Sequence, residues 1–245
     1  MVSFYTGAII AFIIAIFLAR TVFKRRPGDA VVVGFCALFS NSLLLGLPIT
    51  ERAYGAGALD ANFAIISIHA PLLFTIGIAT MEFSRADGRG LVPTVTAILK
   101  SMFKNTLMIG LAFGFFVNLT GFPLPETVAS ATSMIARSAL PAALFALGGT
   151  LTRYSLKASL GEAGMITVLS LLLHPTIAYL LCTQVFDLPI EFTRSAVLTA
   201  SMAPGINVYV FANMYNRAVG TAASSVLLAT ALSVISITFW LWVLG

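Results

Sequence analysis

Two stretches of this sequence set helix-breaking and hydrogen-bonding residues inside long apolar runs. They are "NSLLLGLPITERAYG" (41–55), with Asn41, Gly46 and Pro48, and "MAPGINVYVFANMYN" (202–216), with Pro204, Gly205 and Asn207. Proline lacks a backbone N–H and displaces the carbonyl four residues earlier, so Pro48 would free the C=O of Leu44 and Pro204 that of Ala200. In hydrocarbon such unpaired groups are costly and persist only where protein or a water-filled cavity satisfies them. A half-helix that begins at a break presents free N–H groups and a partial positive charge, which together favour a carboxylate. Asparagine amides can donate to that carboxylate without the desolvation penalty of a buried lysine. These residues suit the reversible binding of an anion inside a membrane; the alternative for either asparagine is a polar bond between helices.

Other chemistry is sparse. His69, in "HAP", and His174, in "HP", are the titratable residues within apolar runs, and proton coupling is one role for them. The commoner role of such a histidine is a bond to a neighbouring carbonyl. Arg137 is the intramembrane cation, a candidate for anion contact or for an interface. The 9 acidic residues fall at span ends or in loops, which argues against exchange through a buried aspartate pair and against a carboxylate-based sodium site. That leaves anion uniport or coupling through histidine. Cys36 and Cys182 lie in apolar runs and read as core residues. The sequence has no serine–histidine pair, no metal-spaced cluster and no Gly-rich phosphate loop with Lys-Ser/Thr, so neither an enzyme nor an ATP-driven pump is expected, and no cofactor or metal.

The elements that must position these residues are membrane spans. The 245 residues are 59% hydrophobic and 9% charged, with a mean hydropathy of +0.99; soluble domains carry about 25% charged residues. Hydropathy predicts an all-α polytopic membrane protein with about eight transmembrane helices, over 2–22, 29–54, 57–83, 101–120, 124–150, 158–185, 190–215 and 219–244. Each is long enough to cross about 30 Å of hydrocarbon. The loops after the first, third, fifth and seventh spans hold Arg20, Lys24, Arg25, Arg26, Arg85, Arg89, Lys100, Lys104, Arg153, Lys157 and Arg217, whereas the opposite loops hold Arg52 and Arg194. This positive-inside asymmetry places the basic loops in the cytoplasm and both termini outside. It also explains the net charge of +5 without nucleic acid.

The two interrupted spans run in opposite directions through the membrane. Paired breaks of this kind are the pattern of inverted-repeat transporters, whose substrate site lies where the broken helices cross. The first three and last three spans match as triplets of opposite orientation, leaving the fourth and fifth as an unmatched pair.

At these residues the chain resembles the auxin efflux carrier family, which includes bacterial permeases often labelled malonate transporters. The resemblance rests on 41–55, 202–216 and "LPAALFALGGTL" (140–151) and covers essentially the whole chain. It implies ten helices in two inverted halves, a scaffold pair opening each half, and a homodimer. By that template the first two helices are absent here. Residues 1–83 form the first transport triplet, 84–105 a cytoplasmic linker, 106–152 the scaffold pair and 153–245 the second, inverted triplet. The resemblance further implies that Asn41, Gly46, Leu47 and Pro48 form one side of the substrate site, and Pro204, Gly205, Ile206 and Asn207 the other. The expectation is a secondary transporter in a bacterial inner membrane that moves a small malonate-like organic anion by alternating access. The alternative is a truncated, non-transporting membrane subunit.

Overall fold

The computed structural model describes residues 1–85, 90–104, 106–151 and 156–245. Among them the regular structure is helical: α1 Val2–Thr21, α2 Pro27–Leu38, α3 Leu47–Tyr54, α4 Leu59–Ser84, α5 Leu91–Lys104, α6 Thr106–Thr120, α7 Glu126–Leu151, α8 Leu156–Val168, α9 His174–Leu180, α10 Ile190–Ala200, α11 Ile206–Tyr215 and α12 Val219–Leu244. Continuous helices long and apolar enough to cross a membrane cover Val2–Thr21, Ala56–Ser84, Leu160–Val185 and Val219–Leu244, and Pro27–Leu38 and Met108–Thr120 are shorter apolar helices. Arg89 and Arg153 lie outside the described residues.

Local chemistry sets where these helices begin and end. Pro27 sits at the start of α2, where a missing N–H costs nothing, and Asp29 occupies the first turn. Gly55 ends α3 at φ 83, and Asn216 ends α11 in the left-handed region at φ 50. The predicted sixth span is continuous because a wide π-turn, Leu169–Leu173, precedes His174 and brings Pro175 into the first turn of α9. Most of the predicted linker, 84–105, is the helix α5.

α1 packs along α2 and α9, and α8 packs along α12, so the first and last parts of the chain share one core. At its centre the Phe35 ring of α2 stacks on Phe211 of α11, with centroids 4.0 Å apart and planes 19° apart. Phe74 of α4 closes on both. Gly77 makes this approach possible, because a Cβ there would lie 2.6 Å from Phe35 Cδ2.

Polar clasps hold both ends of α12. Glu162, one of the acidic residues placed at span ends or in loops by the sequence, is only 4% exposed. Its carboxylate accepts from Arg25 Nε at 2.5 Å, Arg25 Nη2 at 2.7 Å and Thr221 Oγ1 at 2.8 Å. The loop before α2 is thereby fastened to α8 and to the first turn of α12, and the carboxylate pushes the Arg25 guanidinium further up from its ordinary value. At the other end Arg194 donates to the carbonyls of Leu244 and Gly245 and lies over the Tyr54 ring.

Gly77→Ala would force Phe35 against Phe211, which has no room to yield. We expect a stability loss of about 1–3 kcal/mol, as for other overpacked cores, read as a lower unfolding midpoint of the detergent-purified protein.

Candidate functional site

The second and seventh predicted spans are both interrupted, and the interruptions meet. α2 stops at Leu38 and the helical backbone resumes at Ser42 as a π-turn, Ser42–Gly46, that runs into α3. α10 stops at Ala200 and α11 starts at Ile206. Ser40 and Pro204 pair as an isolated antiparallel bridge. The N–H of Asn41 donates to the carbonyl of Ala203 at 2.8 Å, and the N–H of Gly205 donates to the carbonyl of Phe39 at 3.2 Å. Each break thus satisfies part of the backbone that the other has freed, the requirement for irregular chain at membrane depth. Pro204 fits the bridge because it has no N–H to leave unpaired.

Asn41 rather than Pro48 defines the first break. Its side-chain Oδ1 accepts from the N–H of Leu44 at 3.3 Å, and its backbone carbonyl accepts from Leu45 and Gly46 at 3.2 and 3.1 Å. This is an N-cap for a new helix. Pro48 follows directly on the π-turn, whose wider hydrogen-bond spacing makes room for it, as Pro175 follows the π-turn before α9.

A cavity of about 570 Å³ opens on this crossing. Asn41, Ser42, Leu43, Gly205, Ile206 and Asn207 line it, together with Ser67, His69, and Ala136 and Ala139 of α7. Both half-helix N-termini therefore face one space. The backbone N–H groups of Leu43, Ile206 and Asn207 have no hydrogen-bond partner among the described residues, nor do the Asn41 Nδ2 and the Asn207 amide. Gly46, Leu47 and Pro48 are not on the wall: the break falls earlier than the prolines suggested, and these residues follow it by a turn. Ser40, Ser42 and Ser67 also line the cavity, and the "SNS" at 40–42 is the polar signal in an apolar run that marks the first two.

The ionisable candidates divide. His69 is buried and sets Nε2 3.1 Å from the carbonyl of Ser40. A carbonyl only accepts, so Nε2 carries the proton and Nδ1 holds the lone pair; Nδ1 is buried without a partner among the described residues. The ring also stands edge-on to Phe39, with centroids 4.6 Å apart. His174 is absent from the cavity wall; its Nε2 donates to the carbonyl of Phe4 at 2.9 Å and its ring seats against Gly7. Arg137 is exposed on α7 and is not among the lining residues.

A family model described as "Membrane transport protein" matches residues 1–241. Over 236 residues the chain is 28% identical to a Rhizobium meliloti protein named "Putative malonate transporter", covering 95% of this chain and 73% of that protein. Over 206 residues it is 26% identical to an "Uncharacterized transporter" of Methanothermobacter thermautotrophicus, covering 83% of this chain and 65% of that one. The chain thus spans only part of the length of these relatives.

His69→Leu would remove the donor that α4 supplies to the Ser40 carbonyl, which keeps its local bond from the Ser42 N–H at 2.9 Å. The expected cost is about 0.5–1.5 kcal/mol, the net worth of one hydrogen bond, and the unfolding midpoint should fall. His69→Gln, which can still donate, should recover part of that loss.

Proposed function

The chain belongs to the membrane transport protein family, the auxin efflux carrier family that its motifs resemble, and from that premise we propose that it is a secondary carrier for a small organic anion. The observation that carries this reading is the pair of half-helix N-termini opening on one cavity, with unpartnered donors from Leu43, Ile206, Asn207 and Asn41. Backbone N–H groups and helix dipoles attract a carboxylate without a fixed countercharge. Among the lining residues only His69 can ionise, so the site can fill and empty without carrying a permanent charge through the bilayer.

In this reading eight spans cross a bacterial inner membrane with both termini outside. Two inverted triplets, 1–83 and 153–245, hold the crossover, and it opens to either side in turn as they rock against the scaffold pair at 106–152. A dicarboxylate such as malonate is the first substrate to test, supported by the name given to the Rhizobium meliloti relative. His69, at the crossing, is the better placed of the two histidines for proton coupling, and the scaffold pair would serve a homodimer.

Uptake of labelled malonate into proteoliposomes tests the assignment. Asn41→Asp keeps an oxygen to cap Leu44 but sets a carboxylate beside the bound anion. It should lower uptake at least about tenfold, equivalent to ~1.4 kcal/mol, with the unfolding midpoint little changed. Saturable uptake that survives Asn41→Asp would remove the crossover from the substrate path.

A further inference from the structure

A second polar cluster backs onto the crossing and takes no part in the cavity wall. Thr50 of α3, Asn62 of α4 and Thr199 in the last turn of α10 are each 0% exposed. Asn62 Nδ2 donates to Thr50 Oγ1 at 3.2 Å and to Thr199 Oγ1 at 2.9 Å. Its other terminus, Oδ1, is buried and has no partner among the described residues. A fully buried amide oxygen left without a donor is costly, so something outside this set is expected to meet it.

The end of α10 adds oxygens of the same kind. The carbonyls of Ala200, Ser201 and Met202 accept no hydrogen bond among the described residues, because Pro204 has no N–H and Gly205 donates across to Phe39. A half-helix C-terminus carries partial negative charge, and unwound carbonyls at membrane depth are suited to cations. The cluster also touches the crossing. A methyl placed on Gly46 would meet the Asn41 carbonyl at 3.8 Å, Met202 Cγ at 3.8 Å and Thr199 Cγ2 at 3.9 Å.

We infer that Asn62, Thr50 and Thr199, with the free carbonyls that end α10, form a site for a monovalent cation of the sodium type, bound together with the substrate anion. Every ligand is a neutral oxygen, which suits a hard cation. The cluster contains no carboxylate to offset a second positive charge, so the cation is monovalent. Among the described residues no group of three His, Cys, Asp or Glu could hold a metal ion, which sets transition metals aside. A single positive charge beside the crossing would offset the charge of an anion in a medium of low dielectric. The coupling rests on the anion-carrier reading; the cation site itself does not.

The test compares NaCl, KCl and choline chloride at fixed ionic strength, reading the unfolding midpoint of the purified chain with and without malonate. NaCl should raise the midpoint above choline chloride, and malonate should tighten the sodium dependence, since coupling between sites is reciprocal. Asn62→Leu should abolish the sodium shift and Asn62→Asp should keep it. If the leucine variant does not fold, Thr199→Val should reduce the shift while keeping the side-chain shape. Equal midpoints in all three salts, or a sodium shift that survives both Asn62→Leu and Thr199→Val, would overturn the site. Malonate uptake in vesicles without a sodium-dependent midpoint would overturn the cation site and leave the carrier standing. A sodium shift without uptake of any organic anion would support the site and count against the carrier.

Discussion

A backbone that leaves its helix within hydrocarbon must find hydrogen-bond partners elsewhere, and here two such backbones find them in each other. Asn41 donates to Ala203 and Gly205 donates to Phe39 across the Ser40–Pro204 bridge. Either break alone would leave several groups unsatisfied, each at a cost of several kcal/mol. Crossing antiparallel, they satisfy some of these groups and leave others open. The open groups are of two kinds: N–H donors at the starts of α3's π-turn and α11, and carbonyls at the end of α10. The donors belong to residues that line the cavity, and the carbonyls follow directly on Thr199, which bonds the buried Asn62. The proposed sites both rest on what the crossing does not satisfy.

The remainder of the fold serves to hold that crossing in place. Phe35 and Phe211 belong to the two helices that flank the breaks, so their stacking fixes α2 against α11. His69 ties α4 to the break itself through the Ser40 carbonyl. Glu162, joined to Arg25 and Thr221, fastens the loop before α2 to α8 and α12. A buried carboxylate is tolerable there because both its oxygens are occupied by donors and one partner is charged. These contacts hold the two crossed segments in one arrangement, and preorganisation of that kind lowers the cost of binding.

Much of this was legible in the residues. The apolar runs marked all-α membrane helices, and the family followed from motifs around Asn41 and Pro204 that a matching family model then covered. The second break was placed correctly because Pro204 and Gly205 lie inside it. The first falls at Asn41 and not at Pro48: Pro48 follows the π-turn Ser42–Gly46, whereas Asn41 caps that π-turn and pairs across the gap. Long-range partners were out of reach. Arg25 and Glu162 lie 137 residues apart, as do Asn62 and Thr199, and no local pattern announces either pair. The count of continuous long helices was also obscured, since an interrupted span reads in hydropathy as one run and in the structure as two shorter helices.

The central claim is that the anion site at the crossing faces each side of the membrane in turn. Val210, one turn into α11 and on the cavity wall, provides a direct probe. Cys36 and Cys182 are both buried; with them replaced by alanine, Val210→Cys would be the one thiol at the site. Labelling with a membrane-impermeant thiol reagent, applied from either face of oriented vesicles, should reach this cysteine from both sides, and malonate should slow both reactions. Labelling from a single face, at a rate indifferent to malonate and to other organic anions, would contradict the account.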